Sequence, residues 1–168
     1  MAFTTIQGSG GAPDSFLGTA GVDVIALQNQ ADAAFLSARA SDDVVTFQSF
    51  QEVLSAATLY GGQGNDSLTD VSAFGTNLAN SFVYQNEGND SVTLLGVTNT
   101  LIQGNAGADS IRINGLASNS LVNGNQDDDS ITLFAGASAS SVFGGQGNDS
   151  ISLDGALNAT LVQANDGS

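Results

Sequence analysis

The chain has 168 residues, of which 2 are Lys or Arg and 17 are Asp or Glu, so its net charge is −15. So few cations exclude a nucleic-acid partner, because phosphate contacts need clustered Lys and Arg. The chain has neither Cys nor His, which excludes disulfides, Cys/His zinc sites and thiol or imidazole catalysis.

The chain opens with a lead-in, residues 1–14, which we interpret as an N-terminal cap. This segment lacks the basic start and the apolar stretch of a secretory signal peptide, so we expect none. No stretch of the chain approaches about 18 apolar residues, so we also expect no direct insertion into a membrane.

From residue 15 onward the sequence repeats in a frame marked by one aspartate, at intervals of 19 to 24 residues. We call these residues the phase aspartates: Asp23, Asp43, Asp66, Asp90, Asp109, Asp129 and Asp149. Apolar residues recur seven positions before each mark, two after it and, with Asp70 as the exception, four after it. Apolar positions two apart indicate strands, and the long period indicates that the strands stack coil upon coil.

The predicted fold is therefore all-β, a right-handed parallel β-solenoid (β-roll or β-helix) of about 20 residues per coil and about seven coils. It occupies residues 15–168, with irregular coils over 15–58 and regular coils over 59–168. Small polar residues precede the apolar row of the returning strand, and by alternation Thr98 and Thr100 should share its inward face.

The turns before the phase aspartates are rich in glycine. GGQGNDSLT (61–69) and GGQGNDSIS (144–152) fit the nonapeptide GGxGxDxUx, in which U is a large apolar residue, and three further copies fit with substitutions. On these residues the chain resembles the RTX family of hemolysin-type calcium-binding repeats, over roughly 59–168 with a weaker match at 18–26. The resemblance implies a β-roll whose cofactor is Ca²⁺.

Calcium takes six to eight oxygen ligands, so one turn offers too few and an ion must lie between stacked turns. In the family, as the resemblance implies, the aspartate carboxylate and the carbonyls of the glycine-rich turn supply the ligands. The candidate metal ligands are Asp66, Asp90, Asp109, Asp127, Asp129, Asp149, Gly62, Gly64, Gly88, Gly107, Gly145 and Gly147. Only one edge of each coil carries the motif, so we expect a single row of ions.

A metal-free alternative stays open. Several turns replace glycine with asparagine, which tolerates the left-handed backbone: Asn86, Asn105, Asn125 and Asn165. Stacked Asn side chains could form a hydrogen-bonded ladder that makes the ion unnecessary. The three adjacent acids at 127–129 favour calcium, because they repel one another without a cation.

We expect no enzyme, because the chain has no nucleophile–base set, and we expect Asp70 and Glu52 at the surface. The leading prediction is an extracellular, calcium-associated structural protein that assembles with copies of itself, end to end or laterally, into a surface layer, matrix or filament. The chain stops at Ser168, one residue short of the next phase position, and we expect that open end to take another coil.

The resemblance implies a bacterial, extracellular or cell-surface location, with type I secretion as a route that needs no N-terminal signal peptide. Two alternatives remain. The first is an adhesin, phage-fibre or ice-binding module that uses the hydroxyl side chains after each phase aspartate, such as Ser91 and Thr93. The second is the repeat segment of a larger type I-secreted RTX protein.

Overall fold

The computed structural model describes residues 2–7, 15–28, 34–48, 54–72 and 77–164, all in strands, turns and extended segments. These residues form three parallel sheets. The first sheet contains Ala2–Gln7, Asp23–Gln28, Val44–Gln48, Ser67–Asp70, Ser91–Leu94, Ser110–Ile113, Ser130–Leu133 and Ser150–Leu153. The second contains Ser15–Leu17, Phe35–Ala40, Thr58–Gln63, Phe82–Glu87, Leu101–Ala106, Leu121–Gln126, Ser141–Gln146 and Leu161–Gln163. The third contains Leu54–Ser55, Asn77–Ala79, Gly96–Thr98, Ala117–Ser118, Ala137–Ser138 and Leu157–Asn158.

Each strand pairs with the equivalent strand of the next coil, so equivalent residues stack directly. Ile111, for example, is in register with Val92 of the preceding coil and with Ile131 of the following one. The predicted all-β parallel solenoid of about seven turns and roughly 20 residues per turn is confirmed. Of the predicted lead-in, Ala2–Gln7 forms an additional strand of the first sheet, while Pro13 lies outside the described residues.

The core is a column of stacked aliphatic side chains. The apolar rows predicted around the phase aspartates are buried over most of the stack, and residues such as Ile102 and Ile131 have no exposed surface. Partly buried members of these rows are Phe16, Ile151, Leu153 and Val162. The third sheet adds an inward row that the sequence pattern did not reveal, made of Leu54, Leu78, Val97, Ala117 and Ala137. Burial of apolar area along this column stabilises each coil on its neighbours.

The prediction of a surface position is wrong for Asp70, which is only 7% exposed. It occupies the inward position that an apolar residue takes in the other coils, in register with Phe47 of the preceding coil. The backbone N–H of Ser72 donates to its Oδ1 at 2.9 Å, and burial raises the pKa of the Asp70 carboxyl. Glu52 lies outside the described residues.

The corner before the second sheet carries a buried row of hydroxyls, Ser81, Thr100, Ser120 and Ser140, which we call the hydroxyl ladder. The prediction that Thr98 and Thr100 share one face is wrong for Thr98, which is half-buried, because Asn99 between them turns the chain with a φ of 49°. The N–H of Thr100 donates to Ser120 Oγ, and that of Ser120 to Ser140 Oγ, both at 3.1 Å. These hydroxyls therefore satisfy the backbone of the preceding coil rather than one another.

Candidate metal centre

The phase aspartates form a second buried ladder at the opposite corner, between the second and first sheets. From Asp43 onward, the Oδ1 of each phase aspartate accepts a hydrogen bond from the backbone N–H of the phase aspartate in the preceding coil, at 2.6–2.9 Å. Asp129 Oδ1, for example, accepts from the N–H of Asp109 at 2.8 Å. We call this row the aspartate ladder, and it holds the turns of successive coils together.

The second carboxylate oxygen of this ladder lacks a partner. Among the described residues, the Oδ2 atoms without a hydrogen-bond partner, all buried, belong to Asp43, Asp66, Asp90, Asp109, Asp129 and Asp149. A buried oxygen left unpaired costs free energy, and the cost is larger when the oxygen carries charge. The ladder therefore requires positive charge, a proton or a cation, at each of these turns.

The titration of these carboxyls reflects the same requirement. Burial raises the pKa of Asp66, Asp109 and Asp129 to about 7, against a partial lowering by the hydrogen bond from the preceding coil. The charges of neighbouring aspartates raise these pKa values further. The pKa of Asp43 and Asp90 is also raised by burial.

Four of the six orphaned oxygens pack closely against a glycine five residues before their aspartate. A Cβ placed on Gly124 would collide with Asp129 Oδ2 and lie 2.6 Å from the carbonyl oxygen of Gly144 in the next coil. The same convergence of a carboxylate and a carbonyl oxygen occurs over Gly61, Gly104 and Gly144, and over Gly61 the side chain of Gln85 also approaches. We call each of these points of convergence a cradle. Sequence reasoning missed these four glycines, although the first Gly of each GG pair stands at this position.

The oxygens that converge at the cradles are of the kind that a hard divalent cation binds. Calcium prefers carboxylate and backbone carbonyl oxygens, and each cradle brings both kinds together. Within the described ranges no three acidic side chains lie close enough to hold a metal together. An ion here would therefore take one or two carboxylates, and carbonyl oxygens would supply much of the remainder.

The first turn differs from the others. The N–H of Thr19 donates to Asp23 Oδ2 at 2.6 Å, and the Thr19 hydroxyl also lies within hydrogen-bond distance of both carboxylate oxygens. Asp23 therefore has partners for both oxygens without an ion. Hydrogen bonds from the backbone and side chain of Thr19 therefore complete this turn.

The predicted ligand glycines have a visible steric role. Gly62, Gly64, Gly88, Gly107, Gly145 and Gly147 all have positive φ, between 118° and 140°. A Cβ on any of them would collide with backbone of the preceding coil, as for Gly88 against the Gly64 carbonyl. Glycine is therefore required for the turns to stack, while cation binding by these carbonyls stays a prediction.

The predicted ligand Asp127 lies on the outer side of the turn. Its carboxylate accepts the N–H of Gly107 at 3.1 Å, in an exposed position. With Asp128 it borders an open surface cleft that also includes Asn89. The structure thus brings Asp66, Asp90, Asp109, Asp129 and Asp149 into one inner row and leaves Asp127 outside it.

The Asn ladder of the metal-free alternative forms only in part. Asn86, Asn105 and Asn125 do adopt positive φ, from 79° to 86°, and Asn125 Nδ2 donates to Asn105 Oδ1 at 3.4 Å. Asn86 bonds instead to a carbonyl of its own strand, and Asn165 lies outside the described residues.

A further ladder is formed by polar residues that directly precede four of the phase aspartates. The side chains of Asp42, Asn65, Asn89 and Asp128 accept the backbone N–H of the next coil at 2.7–2.8 Å. This outer ladder leaves the inner Oδ2 atoms unpaired, so it does not replace the cation.

These observations define the class of protein: a parallel β-solenoid whose glycine-rich turns present buried carboxylates to a cation. The family model of the RTX calcium-binding nonapeptide repeat matches four copies, at residues 57–69 and 132–155. These segments are RTX calcium-binding nonapeptide repeats, and the solenoid is consistent with a β-roll. The family recognition and the cofactor, Ca²⁺, are thereby confirmed.

No curated protein and no solved structure gives a significant match to the chain. RTX repeats are structural repeats found typically in secreted bacterial proteins and are not typically enzymatic. The described residues include no helix with the length and apolar character needed to cross a membrane.

Proposed function

We propose that this chain is an extracellular structural module whose coils stack into the folded solenoid when calcium binds. The folded module then associates with further copies of itself. The observation that carries the calcium-dependent part is the row of buried, unpartnered Oδ2 atoms, four of which lie beside a backbone carbonyl oxygen at a cradle. The extracellular setting is supported by the RTX repeats, which are typical of secreted bacterial proteins.

The residues that would hold calcium are those of the cradles. Asp109 and Asp129 would contribute Oδ2, with the carbonyls of Gly124 and Gly144 from the following coils. The ion supplies positive charge between turns whose carboxylates are buried and mutually repulsive. Because these oxygens converge only when the coils are stacked, binding is coupled to folding.

The test is to record far-UV circular dichroism and thermal unfolding of the chain in chelator and in millimolar calcium. We expect the β spectrum and the Tm to rise with calcium and to respond less to magnesium, which demands smaller, octahedral sites. Identical spectra and unfolding curves in chelator and in calcium would overturn the proposal.

Self-association is supported by the outward face of the second sheet. Phe35 and Phe82 are 40% and 46% exposed on it, beside Tyr60 and Tyr84, whose rings stack at 5.2 Å. The acids instead lie along the turns, so this face offers apolar contact where copies with a charge of −15 repel one another least.

Light scattering during a calcium titration tests assembly. We expect particle mass to increase with calcium, and Phe82→Ser to reduce the increase without changing the calcium-dependent circular dichroism. Phe82 contacts Tyr84 across a 6.2 Å ring separation, but nearly half of its surface is exposed. A chain that stays monomeric at all calcium levels would exclude the layer, matrix and filament roles.

The outward face of the first sheet favours a second candidate, a binding module for an ordered surface such as ice. Ser91 is in register with Ser67 and Ser110, and Thr93 with Thr69, so hydroxyls form rows along the coils. Arg112, held over the Phe134 ring at 4.0 Å, interrupts one row. Inhibition of ice recrystallisation by the calcium-loaded chain would support this candidate, and its absence would exclude the ice-binding form.

A further inference from the structure

The two tyrosines of the chain lie next to each other on the outward face of the second sheet. Tyr60 is in register with Tyr84 of the following coil, and their rings stack with centroids 5.2 Å apart and planes 16° from parallel. Both side chains are half-buried, so each keeps surface that solvent reaches. The same row carries Ser37 before the pair and Gln103 after it, so the tyrosines are confined to two adjacent coils.

Neighbouring phenylalanine rings support this stack. The ring of Phe82 lies 6.2 Å from that of Tyr84 and only 5° from parallel. The ring of Phe35 packs against Tyr60 at 5.8 Å, tilted by 56°. Aromatic contacts of this kind are attractive, and they restrict the directions in which the tyrosine rings can swing. The two phenols are therefore held side by side in the folded chain.

The composition of the chain makes this pair chemically distinctive. The sequence has no Cys, no Trp and no His, and only one Met. Without cysteine, no disulfide can join one coil to another. Without Trp or Cys, the two phenols are the side chains from which a one-electron oxidant takes an electron most easily. Phenylalanine rings resist such oxidants, so Phe35 and Phe82 hold the pair without competing with it.

We propose that Tyr60 and Tyr84 are a site of oxidative cross-linking, at which the two rings are joined as dityrosine and adjacent coils become covalently linked. The oxidant is a peroxide acting through a one-electron catalyst such as a heme peroxidase. Each phenol loses one electron and one proton, and the two phenoxyl radicals form a bond between ring carbons ortho to the oxygens. The ortho hydrogens then move to the oxygens as protons. In balance, the two rings lose two hydrogens and one hydrogen peroxide becomes two waters.

Proximity directs this coupling to the pair within one chain. Reacting groups held together in a fold behave as if they were at a very high concentration, whereas coupling between two chains requires that two radical-bearing molecules collide. Rotation of half-exposed side chains is the only motion needed to bring the ortho carbons of stacked rings into contact. The link goes beyond the proposed function, because it requires the stacked coils and neither self-association nor a particular ion.

The test treats the dilute, folded full chain with hydrogen peroxide and a heme peroxidase, in whichever of chelator and calcium gives the β spectrum. Dityrosine fluorescence, intact mass and peptide mapping are then measured. We expect a single-chain product whose mass is lower by two hydrogens, with the link between residues 60 and 84. Absence of dityrosine, or dityrosine found only in covalent dimers, would overturn the proposal.

Two matched variants provide the control. Tyr60→Phe and Tyr84→Phe each keep a ring in the stack and remove one phenol. Each should lose the single-chain product completely, so that any remaining dityrosine occurs in covalent dimers. The linked wild-type chain should also unfold at a Tm higher by about 5 °C or more, because the link restricts the unfolded chain. Oxidised single variants should show no such rise, and an equal rise in them would contradict a link between coils.

Failure of the proposed function has a different signature. A chain that neither responds to calcium nor self-associates, but forms the single-chain dityrosine, contradicts the proposed function and leaves the cross-linking site intact. A calcium-responsive chain that gives no single-chain product contradicts only the role of the tyrosine pair.

Discussion

The two buried polar ladders of this solenoid perform the same backbone task with different chemistry. Ser140 in the hydroxyl ladder and Asp129 in the aspartate ladder each accept the N–H of a residue in the preceding coil. The Ser140 hydroxyl also donates to the carbonyl of Ser138 at 3.0 Å, so its hydrogen-bonding capacity is used. Asp129 Oδ2 has no partner. The hydroxyl corner is therefore complete within the protein, whereas the aspartate corner needs a cation or a proton.

The largest effect expected from this difference is on pH dependence, because it acts on several members of the aspartate ladder at once. The pKa of Asp66, Asp109 and Asp129 is raised from 3.8 in the unfolded reference to about 7. The folded chain thus binds these protons more tightly, and their contribution to stability is full below 3.8 and lost as pH rises through about 7. In chelator, the Tm should therefore rise as pH falls from about 8 to about 5.

In calcium the same protons compete with the ion for Oδ2. The difference in Tm between calcium and chelator should consequently become smaller as pH falls from about 8 to about 5. Thermal unfolding at a series of pH values measures both curves. A calcium effect that is constant across this interval would show that the ladder carboxyls do not carry it.

The next effect comes from changing one member of the aspartate ladder. Asp129→Ala removes the acceptor of the Asp109 N–H, which costs about 1–3 kcal/mol of unfolding free energy in chelator, and more in calcium because a ligand is also lost. Asp129→Asn keeps the acceptor and replaces the orphaned oxygen with an amide. Denaturant unfolding should find Asp129→Asn at least as stable as the wild type in chelator at neutral pH, but less stable in calcium. Equal losses for Asn and Ala in both media would contradict a special role for Oδ2.

Adding a methyl group at a cradle should lower the free energy of unfolding by a similar or smaller amount. Gly124→Ala places a methyl group against Asp129 Oδ2 and the Gly144 carbonyl, and overpacking of this kind costs about 1–3 kcal/mol. We expect loss of one calcium ion as well. Gly21→Ala is the control, because a Cβ there meets only Thr19 Oγ1 at 4.0 Å. Unchanged calcium stoichiometry in a folded Gly124→Ala chain would exclude this cradle as an ion site.

The smallest effect is expected at the hydroxyl corner. Ser140→Ala leaves the buried N–H of Ser120 without its acceptor, for a loss of about 1 kcal/mol or somewhat more. Because no ion is involved there, the loss should be the same in chelator and in calcium. Denaturant unfolding in both media measures it, and a loss confined to calcium would remove the distinction between the two ladders.

The fold could be predicted because strand stacking repeats the same chemistry at each coil. The aliphatic rows around Ile111 and Ile131 carried that signal. The third sheet was missed because strands of two residues, such as Ala117–Ser118, are too short to show alternation. The burial of Asp70 could not be predicted from residue type, because an isolated carboxylate is usually exposed. Only its place in the frame, in register with Phe47, indicates the inward position.

The site could be predicted only at the level of residue type. The repeat was sufficient to predict the phase aspartates. Among the glycines, the turn motif indicated those that adopt positive φ, such as Gly62 and Gly145, and did not indicate Gly61 and Gly144. The latter are needed for close approach between coils, a property of register that no single turn reveals. The orphaned Oδ2 atoms likewise depend on which residues stack.

Amide hydrogen exchange at the two corners of one coil tests the central claim most directly. The N–H of Asp109 belongs to the aspartate ladder and the N–H of Ser120 to the hydroxyl ladder. Exchange should be followed by NMR with and without calcium, at the highest pH at which the chelated chain retains its far-UV spectrum. We predict that calcium slows exchange at Asp109 by a much larger factor than at Ser120. Equal factors at the two amides would contradict the account.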